Sequence, residues 1–324
     1  MHHPTRRLTA LALLALALAP GLASAQIAGG RAITIVVPFP PGGGPDLAAR
    51  TIAERLAPRL GQPVVVDNKP GVGGLAGATF VARAKPDGST LLLAPNTLAI
   101  SPHVLPKGAV GIDVLKELVP VVEVGTTPML LVAAPQAGIR DVAQMLAAGR
   151  KGELNYGTAG NGSPMHFAGV MLARTTGLKL VHIPYKGVTP SVAATMAGEV
   201  PLLFVPLGGV TGHVKSGKLV ALAVAERRRT DLLPGVPTLA ESGVKGVEVN
   251  AWYGLFAATG TPPDVLARIN QELNEIVKLP EVRQKLEAAG IEPGGGTPQA
   301  LGASVAEDYE RYGRIARELR IQAD

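Results

Sequence analysis

ITIVVPFPPGGGPDLAARTIAERLAPRL, residues Ile33–Leu60, decides the fold class. Its first part, Ile33–Pro38, is an apolar, β-branched run of the kind found in buried strands. Its last part, Asp46–Leu60, places Ala48, Ile52, Leu56 and Leu60 on one face of a helix. Between them stands a proline- and glycine-rich turn, Phe39-Pro40-Pro41-Gly42-Gly43-Gly44-Pro45. The same unit then repeats. Val64–Asp67 reads as a strand, Gly74–Lys85 as a helix stopped by Pro86-Asp87-Gly88, and Thr90–Ala94 as a third strand. Strand–helix–strand–helix–strand implies a parallel sheet with right-handed crossovers, so the chain is α/β.

Beyond this unit, Val121–Ala133 is a long apolar stretch interrupted by Gly125-Thr126-Thr127-Pro128. The rhythm then restarts. Helices are expected at Asp141–Ala148, Pro164–Thr176 and Pro190–Ala197, and strands at Asn155–Gly157, Leu180–Ile183, Val200–Val205 and Leu219–Val224. After a last strand-like run, Val249–Ala257, only helices are expected: Pro263–Lys278, Glu281–Ala289 and Pro298–Arg320. Helices without strands of their own need a sheet to cover, and the first sheet is available. The reading is therefore a discontinuous first lobe, residues 31–127 plus 252–324, and a continuous second lobe, residues 128–251. Crossings near Pro128 and Ala251 would form a hinge, with a ligand cleft between the lobes.

Composition sets the class and the compartment. The 324 residues, 47% hydrophobic and 17% charged, fit a globular chain long enough for two lobes. Arg6-Arg7, the apolar stretch Leu8–Ala19 and the small-residue site Ala23-Ser24-Ala25 together read as a cleavable signal peptide over residues 1–25. That apolar stretch is shorter than a membrane span requires. The chain holds no cysteine, which excludes disulfides and thiolate metal sites. Its formal net charge of +6 is scattered, and the one basic run is Arg227-Arg228-Arg229, so no nucleic-acid partner is expected. The six histidines show no ligand spacing, so neither metal nor cofactor is expected.

Four helix starts, at Ser163-Pro164, Thr189-Pro190, Thr261-Pro262 and Thr297-Pro298, pair a hydroxyl with a following proline, as N-caps do. Two strand-to-helix turns suggest more than capping. The first is Phe39–Asp46; the second is Gly160-Asn161-Gly162-Ser163-Pro164-Met165-His166. Each presents backbone N–H groups at a helix N-terminus, a combination that holds anions without a cationic side chain. Both lie at the carboxyl ends of strands, where open α/β sheets bind ligands.

Five segments carry a family resemblance: Ile33–Asp46, Gly61–Gly74 (GQPVVVDNKPGVGG), Leu154–Gly169 (LNYGTAGNGSPMHFAG), His182–Gly187 (HIPYKG) and Gly235–Gly243 (GVPTLAESG). In order and in register, they resemble the receptor proteins of tripartite tricarboxylate transporters, the Bug family of extracytoplasmic solute receptors. The resemblance implies a type II periplasmic-binding-protein fold, a periplasmic monomer, a small carboxylate ligand and integral-membrane transporter subunits as partners. It implies carboxylates held by the two glycine-rich loops without an arginine clamp. By position it places Phe39, Pro41, Gly42, Gly43 and Asp46 on the first-lobe side, with Thr97 at a nearby strand end. It places Thr158, Asn161, Gly162, Ser163 and His166 on the second-lobe side, flanked by Tyr185 and Lys186.

The sequence departs from the family pattern at Pro45, where threonine is common, and at Pro201 and Val205, where aspartates are common. With Val205 facing the ligand, the cleft would lack an acidic partner for an ammonium group. That disfavours amino acids and points to a less polar aromatic or branched carboxylate.

Other readings rest on less. Gly71-Val72-Gly73-Gly74-Leu75-Ala76 fits a dinucleotide fingerprint but lacks the acidic residue at the end of the next strand. A secreted hydrolase would use Ser163 with His166, yet the flanking glycines of a nucleophile elbow and an orienting carboxylate are missing. A ligand-sensing module for a membrane sensor would use the same cleft.

Overall fold

The computed structural model describes residues 27–106, 108–249 and 251–323. The expected signal peptide lies outside the described residues. In chain order the strands are β1 (Ile33–Val37), β2 (Val64–Asn68), β3 (Thr90–Pro95), β4 (Leu118–Thr127), β5 (Met129–Ala133), β6 (Leu154–Thr158), β7 (Leu180–Pro184), β8 (Leu202–Pro206), β9 (Val220–Val224), β10 (Ala251–Ala258) and β11 (Glu292–Pro293). The α-helices are α1 (Gly44–Leu60), α2 (Leu75–Ala82), α3 (Thr97–Val104), α4 (Val114–Glu117), α5 (Val142–Lys151), α6 (Pro164–Thr176), α7 (Val188–Ala197), α8 (Thr211–Lys215), α9 (Pro263–Ile276), α10 (Pro280–Ala288) and α11 (Pro298–Leu319).

Two sheets organise these elements. The first has the order β11-β4-β10-β3-β1-β2 and the second β7-β6-β8-β5-β9. β1 pairs in parallel with β2 and β3, as the opening stretch implies, and β10 runs antiparallel between β3 and β4. β1 and β3 are buried almost throughout because helices cover both faces of the sheet. On one face α1, α9 and α10 contribute Ile52, Leu56, Ile269, Leu273 and Leu286 to a core. On the other, Leu75, Leu98, Trp252, Phe256 and Leu301 form a second layer. α1 stops at Gly61, whose left-handed φ of 67° caps the helix at no Cβ cost.

A single residue, Pro128, separates β4 in the first sheet from β5 in the second, and the chain returns between β9 and β10. Ala251 pairs with Thr127, so the two crossing segments lie side by side.

Several expectations are corrected. Ser163 and Thr297 cap their helices, accepting from His166 N at 3.2 Å and Ala300 N at 3.1 Å. Thr189 does not, because Gly187 with φ 111° starts α7 earlier and leaves Pro190 inside the first turn. Thr261 turns back onto the Ala258 carbonyl at 2.7 Å, and Pro262 is the N-cap. The closing segment is not helical throughout, since β11 adds a short edge strand beside β4. Nor does α11 cover the first sheet alone. Leu301 and Val305 pack on that sheet's outer layer, but Tyr312, Ile315 and Ala316 join the second core. There Tyr312 meets Phe167 edge-on at 5.0 Å between centroids. Ile100 and Val104 of α3 enter the same core, so α3 and α11 tie the two bodies together.

Candidate ligand-binding cleft

The first glycine-rich turn is anchored from beneath by Asp46. This carboxylate is 3% exposed, and it accepts from Gly42 N at 2.9 Å, Arg50 Nε at 3.0 Å and Asn68 Nδ2 at 3.0 Å. Burial alone would raise its pKa. The hydrogen bonds from Arg50, Gly42 N–H and Asn68, with the Arg50 charge, outweigh that and hold it below the usual value. Asn68 also donates to the Phe39 carbonyl at 3.0 Å, so the end of β2 grips both ends of the turn. Gly42 takes φ 88°, which a residue with a Cβ would resist. Gly43 is the N-cap of α1 and offers no side-chain cap, while Pro41 and Gly43 are exposed. Phe39 is half-buried; its ring abuts Gly74 of the loop that follows β2.

The second turn is anchored by imidazole rings and hydroxyls. Gly162 N donates to His166 Nδ1 at 3.2 Å, which requires that nitrogen to be unprotonated. The His166 ring stacks on His182 at 3.9 Å, and a hydrogen bond of 2.6 Å joins His182 Nε2 to Thr158 Oγ1. Thr158 in turn accepts from Gly160 N at 3.2 Å. Tyr185 N donates to the Thr158 carbonyl at 3.0 Å, bringing the end of β7 alongside. Lys186 is exposed, and Asn161 is half-buried between Gly160 and Gly162. Ser163 donates its one hydroxyl hydrogen to the Gly160 carbonyl at 2.7 Å. With His166 Nδ1 facing Gly162, the two are arranged as cap and loop anchor, not as nucleophile and base.

Thr97 opens α3 at the end of β3, half-buried beside the enclosed Asn96. α3 is the element that both sides touch. Ser101 Oγ donates to the Gly73 carbonyl at 2.8 Å, and a Cβ built on Gly162 would lie 2.8 Å from Val104 Cγ2. The nominated residues therefore form two groups, one per sheet, joined through α3. Val205 belongs to neither. It is fully buried in the second core, because β8 is the central strand of its sheet and is covered on both faces. The argument from Val205 against amino-acid ligands falls with that placement.

Sequence reasoning missed what lies behind the crossings. A cavity of about 620 Å³ is lined by Glu123, Glu226, Arg228, Trp252, Glu292 and Arg311 among others. None of the nominated residues lines it. Burial pushes the Glu226 carboxyl up to about 8, opposed by its hydrogen bond from Met129 N, and pushes Glu123 up to about 7. The basic run spreads over carboxylates here, Arg227 on Glu248 and Glu307, Arg228 on Glu292 and Arg229 on Glu241. Only a local charge count around the strand ends could have hinted at it.

Two linked α/β sheets, each with a glycine-rich strand-to-helix turn, are the architecture of the solute-receptor class of binding proteins. The sequence profile described as "Tripartite tricarboxylate transporter family receptor" matches residues 48–321, and the chain belongs to that family. Protein BugT of Bordetella pertussis is 34% identical over 292 residues, covering 89% of each chain. A solved R. palustris protein with adipate superposes with a TM-score of 0.81 at 30% identity, covering 90% of this chain and 98% of that one. MatC from Rhodopseudomonas palustris with bound malate gives 0.76 at 31% identity, covering 88% and 98%.

Proposed function

We propose that this chain is a periplasmic receptor that captures a small carboxylate between its two sheets and passes it, chemically unchanged, to integral-membrane transporter subunits. The observation that carries this reading is the pair of glycine-rich strand-to-helix turns, one per sheet, each leading into a helix N-terminus, with the neighbouring Arg50 engaged by Asp46. Such turns favour anions through helix dipole and backbone donors. The relatives seen with adipate and malate fit the same chemistry. In this reading Gly42, Gly43, Asn161 and Gly162 shape the two turns, and Phe39, Pro41, Thr97 and Tyr185 form the walls. Asp46, Thr158, Ser163 and His166 hold the turns in place. The lobes are residues 31–127 with 252–324 and residues 128–251, hinged near Pro128 and Ala251. The mature protein starts at Gln26 and acts as a monomer.

The test is calorimetry and thermal melting with malate, adipate, citrate and benzoate, each beside its methyl ester. A ligand at 100 times its Kd should add about 2.7 kcal/mol of stability. Esterifying the bound carboxylate should cost roughly 1.5–3 kcal/mol of affinity. Mass spectrometry of the recovered ligand should find it intact. Equal affinity for acid and ester, or turnover of the ester, would overturn the reading.

A further inference from the structure

Tyr253 is absent from the residues nominated by sequence, yet its hydroxyl ends at the first glycine-rich turn. It sits on β10, opposite Pro95 of β3 and Gly125 of β4, level with the carboxyl end of β3. Its ring packs in the core under α1, and the residue is 6% exposed. The hydroxyl lies so close to the start of α1 that a Cβ built on Gly44 would be 2.5 Å from Oη and 3.2 Å from Cζ. Gly44 is the first residue of a 17-residue helix whose N-cap, Gly43, makes no side-chain cap bond.

Buried phenols ordinarily find a hydrogen-bond partner. Tyr312, also buried, pairs its hydroxyl with Arg311 at 3.1 Å. Among the described residues the Tyr253 hydroxyl has no partner. It is also not one of the side-chain atoms sealed away without one, which are Gln62 Oε1, His103 Nε2, Arg268 Nε and Arg311 Nε. An orphan hydroxyl that keeps an opening, at a helix N-terminus with uncapped N–H groups, is half of a hydrogen bond whose other half comes from outside the chain.

We infer that Tyr253 is a ligand-contacting residue whose hydroxyl donates to the carboxylate docked at the N-terminus of α1. This rests on the receptor reading above and adds a side-chain donor to a turn otherwise built from main chain. Burial pushes the phenol well above its ordinary value, so it stays protonated and can donate. Gly44 then has a reason beyond the turn: any side chain there would fill the approach between the hydroxyl and the helix start.

Tyr253→Phe tests the inference, since it deletes the hydroxyl and keeps the ring. Calorimetry of the full mature chain and of this variant would use malate, adipate, citrate and benzoate. The best wild-type ligand should bind the variant roughly tenfold to a hundredfold more weakly, the effect of losing one hydrogen bond to a charged group. The unliganded melting temperature should not fall, because no internal hydrogen bond is lost. Gly44→Ala should weaken the same ligand while leaving circular dichroism unchanged. Binding within twofold of wild type in Tyr253→Phe would overturn the inference and leave the receptor reading intact. So would unchanged affinity with a lowered melting temperature, the mark of a structural hydroxyl. If wild type binds none of the carboxylates, the receptor reading fails and this inference with it.

Discussion

The two glycine-rich turns present the same main-chain surface but are held from behind by opposite kinds of chemistry. The first rests on a buried charge: Asp46 binds Gly42 N–H, Arg50 and Asn68 at once. The second rests on imidazole rings and hydroxyls, His166 on Gly162, His182 on Thr158 and Ser163 on Gly160. The difference follows from sequence context. Pro45 in the first turn leaves the cap position to Gly43, so a carboxylate one residue on must reach back to order the loop. In the second, a serine N-cap does this directly. A glycine-rich turn can thus be ordered from behind by either kind of anchor.

The largest expected break in that comparison is Asp46→Ala. It leaves Gly42 N–H, Asn68 and the half-exposed Arg50 without their shared acceptor, and should cost about 1–3 kcal/mol in urea denaturation, with affinity lost. A loss under about 1 kcal/mol would mean the charge does not organise the turn.

Acid should separate Asp46 from the carboxyls behind the crossings. The folded pKa of Asp46 is depressed, so its contribution is present above the unfolded value near 3.8 and is lost as pH falls through the folded one. Glu226 is raised to about 8, so the native state holds a proton that the unfolded chain releases near pH 4.5. Its contribution therefore declines as pH rises from about 4.5 to about 8. Melting curves from below pH 3.8 to above pH 8 should show Glu226→Gln flattening the neutral limb and Asp46→Asn flattening only the acid limb. A neutral limb unchanged in Glu226→Gln would remove Glu226 as its cause.

Gly162→Ala should cost about 1–2 kcal/mol, because φ is 70° and the added Cβ would press on Val104. The smallest effect is the cap itself. Ser163→Ala and Thr297→Ala should each lose about 1 kcal/mol by melting, whereas Thr189→Ala, which caps nothing, should stay within about 0.5 kcal/mol. A cost at Thr189 equal to that at Ser163 would show that the shared hydroxyl–proline pattern, not the cap bond, is what matters.

These variants also mark the limits of reading the chain. Ser163 and Thr189 look alike as hydroxyl–proline pairs, and nothing local separates them. The difference is Gly187, whose positive φ lets α7 begin earlier. α3 is hard to read from sequence because it is only two turns long and Pro102 interrupts its period, yet it packs on both the loop after β2 and the second turn. Val205 was placed at the ligand by alignment of position alone, and the strand order puts it in the core.

By itself the sequence determined the strand–turn–helix repeats, the two glycine-rich turns and the family, because short-range periodicity, proline and glycine act through local sterics that travel with the chain. Only the tertiary structure decided that Asp46 faces inward to hold its turn, that α11 and α3 bridge both sheets, and that Tyr253, from a strand more than 200 residues after Gly44, closes on that glycine. Those are contacts between distant segments, set by strand order and by which face of each helix is covered, and no window of sequence contains both partners.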